Sequence, residues 1–169
     1  ELEEAIDALG SSINMYTGKQ SINIEVSSLK RNFDATLALV EEILFEPRWD
    51  AKEFERIKRE TSESIKRRSA VPSSIASNVF NKLNYGNHIL AHETIGTVSS
   101  VESIALNDLK NYVQDNFSAH LATISIVGDI SRSEAVRAFK GLAERWDVKN
   151  VTFPEYYMPE PNRMAKVYF

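Results

Sequence analysis

The segment "LALVEEILFEPRWDAKEFERIK", residues 37–58, predicts more of the fold than any other stretch of this chain. Its first half continues a run of apolar residues at helical spacing, made up of Phe33, Leu37, Val40 and Leu44. Pro47 ends that helix, because proline cannot continue the helical hydrogen-bond pattern. Asp50 then predicts the start of a second helix, with Glu53 three residues later in the position of a capping box. The stretch therefore predicts two consecutive helices separated by a short break.

Helical patterns also fill most of the sequence that follows. On the second helix the apolar face comprises Phe54, Ile57, Thr61 and Ile65, so Ile57 is expected to point into the core. Pro72 predicts the start of a third helix, which Gly86 ends. The segments "NDLKNYVQDNF" and "RSEAVRAFKGLAERW", residues 107–117 and 132–146, each predict one amphipathic helix.

Alternating apolar residues indicate strands at two places. In "SSINMYTGKQSINIEVSSL", residues 11–29, alternation on both sides of a short glycine-containing turn predicts a β-hairpin, and Ser27 or Ser28 is expected to cap the next helix. The segment "ATISIVGD" predicts a further strand over residues 122–127. With helices grouped between these strands, we predict an α+β fold. It would have two layers, a mainly antiparallel sheet with helices packed on one face.

The distribution of prolines predicts the domain boundaries. Residues 1–149 are expected to form one α+β domain, and residues 150–164, which contain Pro154, Pro159 and Pro161, an extended linker. Residues 165–169, "AKVYF", resemble the first strand of another domain. Glu1 opens straight into the helical pattern "ELEEAIDALG", so we expect the domain to be truncated at its N-terminus.

Composition narrows the class of protein. Of the 169 residues, 43% are hydrophobic and 26% charged, as in soluble globular domains. The net charge of −4 argues against nucleic acid as a partner. The chain has no cysteine, which excludes disulfides and thiolate metal sites. No apolar run reaches the roughly 18 residues that a membrane span requires, so no span is expected.

Two histidines in "GNHILAHETIG", residues 86–96, are the candidates for a metal site within the chain. His88 and His92 lie four residues apart, a spacing that on a helix holds zinc in several enzymes. The position before the second histidine, where those enzymes carry the catalytic carboxylate, is Ala91. Gly86 and Gly96 leave room for barely two helical turns. The favoured interpretation is a surface loop, and an independent zinc site at His88 and His92 is the alternative.

Several motifs in order resemble one family. Gly10 is followed by Asn14 and Thr17 in the predicted hairpin, and then by the segment at residues 37–58. The run "YGNHILAHETIGTVSSVESIALNDLKNYV" and the segment "ATISIVGDI" come next. Over roughly residues 1–146 this order is similar to that of the insulinase, pitrilysin and mitochondrial processing peptidase family. These are zinc peptidases with an inverted zinc motif, and the resemblance is to a non-catalytic domain of a two-unit bacterial member.

The resemblance implies where the zinc chemistry should lie. The family's H-x-x-E-H helix would precede Glu1, and a later helix supplies a glutamate ligand with a second carboxylate seven residues before it. Aligned without gaps, these two positions fall at Ser64 and Ile57, neither of which is a carboxylate. The resemblance therefore implies that this chain is inactive alone and holds no zinc, which would sit in a catalytic partner half. The alternative is a truncated catalytic half with Glu63 as the third zinc ligand.

The resemblance also implies a substrate and a partner. Family members lay an extended peptide along the strand that corresponds to residues 12–17, which makes Asn14, Tyr16 and Thr17 candidate substrate-binding residues. The partner would be a homologous domain of the same protein or a catalytic subunit. The implied function is to complete the substrate chamber of a zinc metalloendopeptidase. A non-proteolytic assembly module is the alternative of another class. Two-unit bacterial members imply a periplasmic or cell-envelope location, on which the residues themselves give no information.

Overall fold

A computed structural model describes residues 2–159 of the chain. It divides into two compact units. The first comprises the chain up to Trp49 together with Asn107–Thr152, and the second comprises Asp50–Leu106 together with the segment that begins at Phe153. The strand predicted at residues 165–169 lies outside the described residues.

The first unit opens with the predicted helix and hairpin. Helix α1 (Leu2–Ala8) is followed by strands β1 (Ser12–Thr17) and β2 (Ile22–Ser27). The strands pair antiparallel, with Ser12 opposite Ser27 and Thr17 opposite Ile22. The turn between them is closed by a hydrogen bond in which the Gly18 amide donates to the Ser21 carbonyl at 2.7 Å. The predicted hairpin is confirmed.

The helix after the hairpin starts later than predicted. A 3₁₀ turn (Lys30–Asn32) intervenes, and helix α2 spans Phe33–Phe45. The expected cap at Ser27 or Ser28 is therefore wrong, and Asn32 holds the N-cap position. The side-chain Nδ2 of Asn32 donates to the Leu9 carbonyl at 2.7 Å. That bond ties the start of α2 to the end of α1, which a serine farther upstream would not do.

The core of the first unit lies where α2 meets the C-terminal helices. Helix α6 spans Leu106–Asn116, α7 spans Arg132–Ala138 and α8 spans Lys140–Arg145. The single helix predicted at residues 132–146 is thus divided at Phe139, whose φ of −85° and ψ of 0° depart from helical values. The buried core residues are Leu37, Val40 and Leu142, and the residues packed around them are Ile13, Leu44, Phe45, Ala138, Phe139 and Trp146. The helices therefore cover the face of the hairpin that carries Ile13.

Aromatic rings close this core at two points. Phe33 and Phe139 meet edge to face with centroids 6.1 Å apart, and Phe45 and Trp146 do so at 6.2 Å. Such pairs stabilise a core by roughly 0.5–1.5 kcal/mol beyond the area they bury. Trp146 is therefore a structural residue of the first unit.

The segment predicted as a third strand is not one. Residues 122–127 have no regular secondary structure, and the sheet among the described residues consists of β1 and β2 alone. Ile124 is 49% exposed and Val127 is fully exposed. An alternating apolar sequence forms a strand only beside a partner that accepts its backbone hydrogen bonds. Residues 122–127 have no neighbouring strand among residues 2–159, which is why the predicted strand does not form.

The second unit consists mainly of helices. Helix α3 spans Ala51–Arg68, α4 spans Pro72–Tyr85 and α5 spans Val98–Ser103. Helices α3 and α5 pack together, and the Lys58 ammonium donates to the Ile104 carbonyl at 2.7 Å just beyond α5. The predicted start of α4 at Pro72 and its end at Gly86, with φ +56°, are both confirmed. Across the described residues, none of these helices has the length and apolar content to cross a membrane.

The connection between α2 and α3 contains a strained backbone position. Pro47 ends α2 as predicted, and Trp49 adopts a φ of +51° in the left-handed region. That region is unfavourable for a bulky side chain.

The predicted fold class, α+β with an antiparallel sheet and helices on one face, is confirmed.

Candidate functional site

Helix α3 presents the positions at which the zinc chemistry was expected. Its start is fixed by the Asp50 carboxylate, whose Oδ1 accepts hydrogen bonds from the amides of Lys52 at 2.8 Å and Glu53 at 3.0 Å. Half of the predicted capping box is therefore present. Glu53 does not complete it, because its carboxylate is bonded to Arg56 instead.

The buried face of α3 is narrower than its apolar pattern predicted. Ser62 and Ile65 are buried, and Phe54 and Thr61 are half-buried. Ile57 is 53% exposed, so the expectation that it points into the core is wrong. At about 100° per residue, Ile57 falls to one side of the face that Thr61, Ser62 and Ile65 define.

Ile57 and Ser64 lie on the same side of α3, since they are seven residues apart, about two helical turns. Neither side chain carries a charge, and a serine hydroxyl is a poor zinc ligand compared with histidine, cysteine or a carboxylate. Glu63 is rotated about 100° away from Ser64 around the helix. Its side chain is 67% exposed, with a carboxylate oxygen 3.7 Å from the Arg67 guanidinium. The structure therefore does not place Glu63 beside the Ile57 and Ser64 side.

Two other carboxylates of α3, those of Glu53 and Glu60, pair with an arginine. Arg56 lies 2.8 Å from both the Glu53 and the Glu60 carboxylates. The hydrogen bond to Glu53, followed by that to Glu60, raises the pKa of Arg56 above its usual value. Among residues 2–159 no three histidine, aspartate or glutamate side chains are grouped so that they could hold a metal ion. The described part of α3 does not fit a zinc site.

The two histidines flank a 3₁₀ turn instead of sharing a helix. The turn spans Ile89–Ala91, and both His88 and His92 have extended backbones, with ψ of 153° and 142°. The Nδ1 atom of His88 accepts a hydrogen bond from the Leu90 amide at 3.2 Å. The ring of His88 also packs against Tyr156, at 5.6 Å between centroids. The segment is a loop, as the sequence favoured, and His88 serves to cap its turn.

Strand β1 presents the candidate peptide-binding edge. Asn14, Tyr16 and Thr17 are exposed, and the exposed fraction of Tyr16, the one aromatic residue of the hairpin, is 55%. Only the edge facing β2 is paired among the described residues, which leaves the outer edge of β1 with no neighbouring strand there. An open strand edge can accept an extended peptide through backbone hydrogen bonds.

Sequence reasoning missed one exposed residue of this strand. Met15 lies between Asn14 and Tyr16, on the same face of the strand as the apolar residue Ile13, yet it is 48% exposed. Its strand neighbour Ile13 on the same face packs against the core. Alternation showed the face on which Met15 lies, but only the structure shows how far the helices cover that face.

The sequence model of the insulinase family (peptidase family M16) matches residues 1–93, more than half of the chain. The chain belongs to the insulinase family. The resemblance read from the motifs is thereby confirmed.

Two curated proteins are similar in sequence to this chain over part of their length. The chain is 27% identical over 133 residues to the "Uncharacterized zinc protease YmxG" of Bacillus subtilis, covering 79% of this chain and 32% of that protein. It is 24% identical over 163 residues to the "Probable mitochondrial-processing peptidase subunit beta, mitochondrial" of Arabidopsis thaliana, covering 95% of this chain and 30% of that protein. The chain thus spans about a third of the length of these curated relatives.

A solved structure shares the fold. The crystal structure of the "peptidase M16 inactive domain" of Pseudomonas fluorescens superposes with a TM-score of 0.81 and 25% identity, over 92% of this chain and 39% of that one. The chain is therefore a zinc-protease-like domain of the insulinase family. The family's zinc is not matched by a metal-binding group among residues 2–159.

Proposed function

We propose that this chain is a non-catalytic part of an insulinase-family zinc metallopeptidase, in which it completes the chamber that holds the peptide substrate. One observation carries the proposal. The side of α3 at which family resemblance implies two carboxylates presents Ile57 and Ser64. Neither residue can polarise a water molecule or bind zinc as a carboxylate does.

The chain's contribution to such a chamber would be made by β1. Its outer edge would pair with an extended peptide, whose backbone hydrogen bonds require no particular sequence. Asn14, Tyr16 and Thr17 would then contact peptide side chains at the exposed surface of the strand. The zinc and the catalytic base would come from a homologous domain of the same protein or from a partner subunit.

The first experiment measures zinc and activity with the chain alone and within the longest natural polypeptide that contains it. We expect the chain to bind no stoichiometric zinc, measured by inductively coupled plasma mass spectrometry, and to cleave no peptide. Within the longer protein, Glu63→Gln should leave the zinc content and kcat unchanged. Glu55→Gln, an exposed glutamate of the same helix, is the matched control.

Each outcome separates the proposal from an alternative. Loss of zinc or of kcat in Glu63→Gln, with Glu55→Gln unaffected, would show that Glu63 is a zinc ligand and that this is a truncated catalytic half. A purely structural assembly module predicts that no extended peptide binds to the chain at all. Binding of a fluorescent peptide that Tyr16→Ala weakens would exclude that module and support the role of β1.

A further inference from the structure

The outer side of α7 and α8 forms a shallow groove lined by cations. Its volume is about 740 Å³, and its lining consists of Arg132, Ser133, Val136, Arg137 and Lys140. These positions follow one another along a single side of the two helices. The opposite side carries Ala138, Phe139 and Leu142, which anchor the helices to the core of the first unit. The groove therefore lies on helices whose other side packs against the core.

The acidic residue of α7, Glu134, is not among the residues that line the groove. The Glu134 carboxylate accepts hydrogen bonds from the Ser131 hydroxyl at 2.6 Å and from the Ser131 amide at 2.8 Å. Its other oxygen lies 3.9 Å from the Lys30 ammonium. These interactions lower the pKa of Glu134 below its usual value, the Ser131 hydroxyl contributing most. Glu134 is thus held at the start of α7 by Ser131 and Lys30, and its electrostatic interaction with the groove residue Arg137 contributes least to the lowering of its pKa.

The cations of the groove are weakly paired. The Lys140 ammonium lies 3.7 Å from Glu144, with both side chains about 70% exposed. No ion pair joins Arg132 or Arg137 to another residue in the part of the chain that the structure describes. On α3, by contrast, Arg56 and Arg67 each pair with a glutamate of their own helix. The outer side of α3 is a solvated surface of mixed sign, whereas the groove carries one sign.

We propose that this groove binds an acidic segment of a polypeptide. Arginine guanidinium groups pair with carboxylates through two parallel hydrogen bonds, and two of the three cations are arginines. The lining residues extend from Arg132 to Lys140, eight residue steps or roughly 12 Å at the rise of an α-helix, which exceeds the size of a single phosphate group. Val136, 65% exposed between the cations, adds an apolar contact that a peptide side chain can use. The surface is distinct from the β1 edge and does not depend on the proposed role of that strand.

The test uses the 169-residue chain and a fluorescein-labelled hexaglutamate peptide, with hexaglutamine as the uncharged probe. Fluorescence anisotropy should show binding of hexaglutamate only, weakening as NaCl rises from about 50 mM to about 500 mM because the screening length shortens. Arg132→Glu combined with Arg137→Glu should weaken binding about tenfold or more. Both positions are exposed, and circular dichroism should show an unchanged fold.

A matched variant separates the groove from net charge. Arg59→Glu combined with Lys66→Glu makes the same change in net charge on exposed positions of α3, and it should leave the affinity within about twofold. Equal losses in the two double variants, or no binding of hexaglutamate to the unmodified chain, would overturn the proposal. Displacement of the peptide by tripolyphosphate at lower concentration than by unlabelled hexaglutamate would also overturn it and assign the groove to phosphate.

Discussion

Helices α2 and α3 follow one another in the same stretch of sequence, yet they are stabilised in different ways. Helix α2 contributes Leu37 and Val40 to the core. Helix α3 carries charged residues on most of its surface, begins at a capping aspartate and buries only Ser62 and Ile65. The two positions at which the resemblance implies the family's carboxylates lie on α3, and Ile57, at one of them, is 53% exposed. The buried core of the first unit and the two positions aligned with the family's carboxylates therefore occupy different helices, so we expect substitutions at Ile57 and Ser64 to disturb the fold little.

The largest effect should come from shortening a side chain of α2. Leu37→Ala removes a buried side chain that is 8% exposed and should lower the free energy of unfolding by about 2–5 kcal/mol. Ile57→Ala on α3 is the matched truncation and should cost less than about 1 kcal/mol, because that side chain is already half in water. Urea unfolding followed by circular dichroism measures both. Equal costs would remove the distinction between the two helices.

The next largest effect tests the start of α3. Asp50→Ala removes the acceptor of two amide hydrogen bonds and should cost about 1 kcal/mol of stability. Asp50→Asn keeps an oxygen acceptor and should restore most of the loss. The same denaturation experiment measures the difference. If both variants were as stable as the unmodified chain, tertiary packing alone would fix the start of α3.

A smaller effect should depend on pH. Because hydrogen bonds from Ser131 lower the pKa of Glu134 in the folded state, its contribution to stability is present above the usual glutamate pKa. That contribution is lost as the pH falls through the lowered folded value. Glu134→Gln should therefore be less stable than the unmodified chain at pH 7, and the gap should be smaller when it is measured at pH 3, below the usual glutamate pKa. A gap that stays constant across thermal unfolding at the two pH values would contradict this.

The smallest effect concerns the ligand positions themselves. Replacing Ile57 and Ser64 together by glutamate should change the stability by no more than about 0.5 kcal/mol, because Ile57 is exposed and Ser64 is only half-buried. The chain alone should still bind no zinc, because the further ligands of a zinc site are lacking among its described residues. Calorimetric titration with ZnCl₂ checks the second statement, and stoichiometric binding would contradict it.

Local signals made a large part of the fold predictable. Asp50, Pro72 and Gly86 marked helix ends correctly because capping and backbone preferences act within a few residues. The hairpin was predictable for the same reason, since its turn and both strands are contiguous. The strand predicted at residues 122–127 failed because a strand needs a partner, and the sequence of a segment does not show which partner is near.

For the candidate positions on α3, the sequence indicated which residues share one side of the helix but not how exposed those residues are. Helical geometry alone places Ile57 and Ser64 on one side of α3 and turns Glu63 away from them. Periodicity could not show that Ile57 is exposed, because the width of a buried face depends on the elements that pack against it. No sequence motif indicated the groove on α7 and α8. Its single sign emerges only when the structure shows that Ser131 and Lys30 hold Glu134.

The position of the two tryptophans determines which of the two units intrinsic fluorescence monitors. The chain has only Trp49 and Trp146, and both belong to the first unit, Trp146 within its aromatic core. Tryptophan emission will therefore follow the opening of the first unit, while the second unit, which contains no tryptophan, can unfold without changing it directly. The absence of cysteine supplies the complement, since one engineered thiol on α3 or α4 would carry a dye as the sole label of the chain. Tryptophan emission and the fluorescence of the attached dye, recorded during the same unfolding, would then show whether the two units unfold together or one after the other.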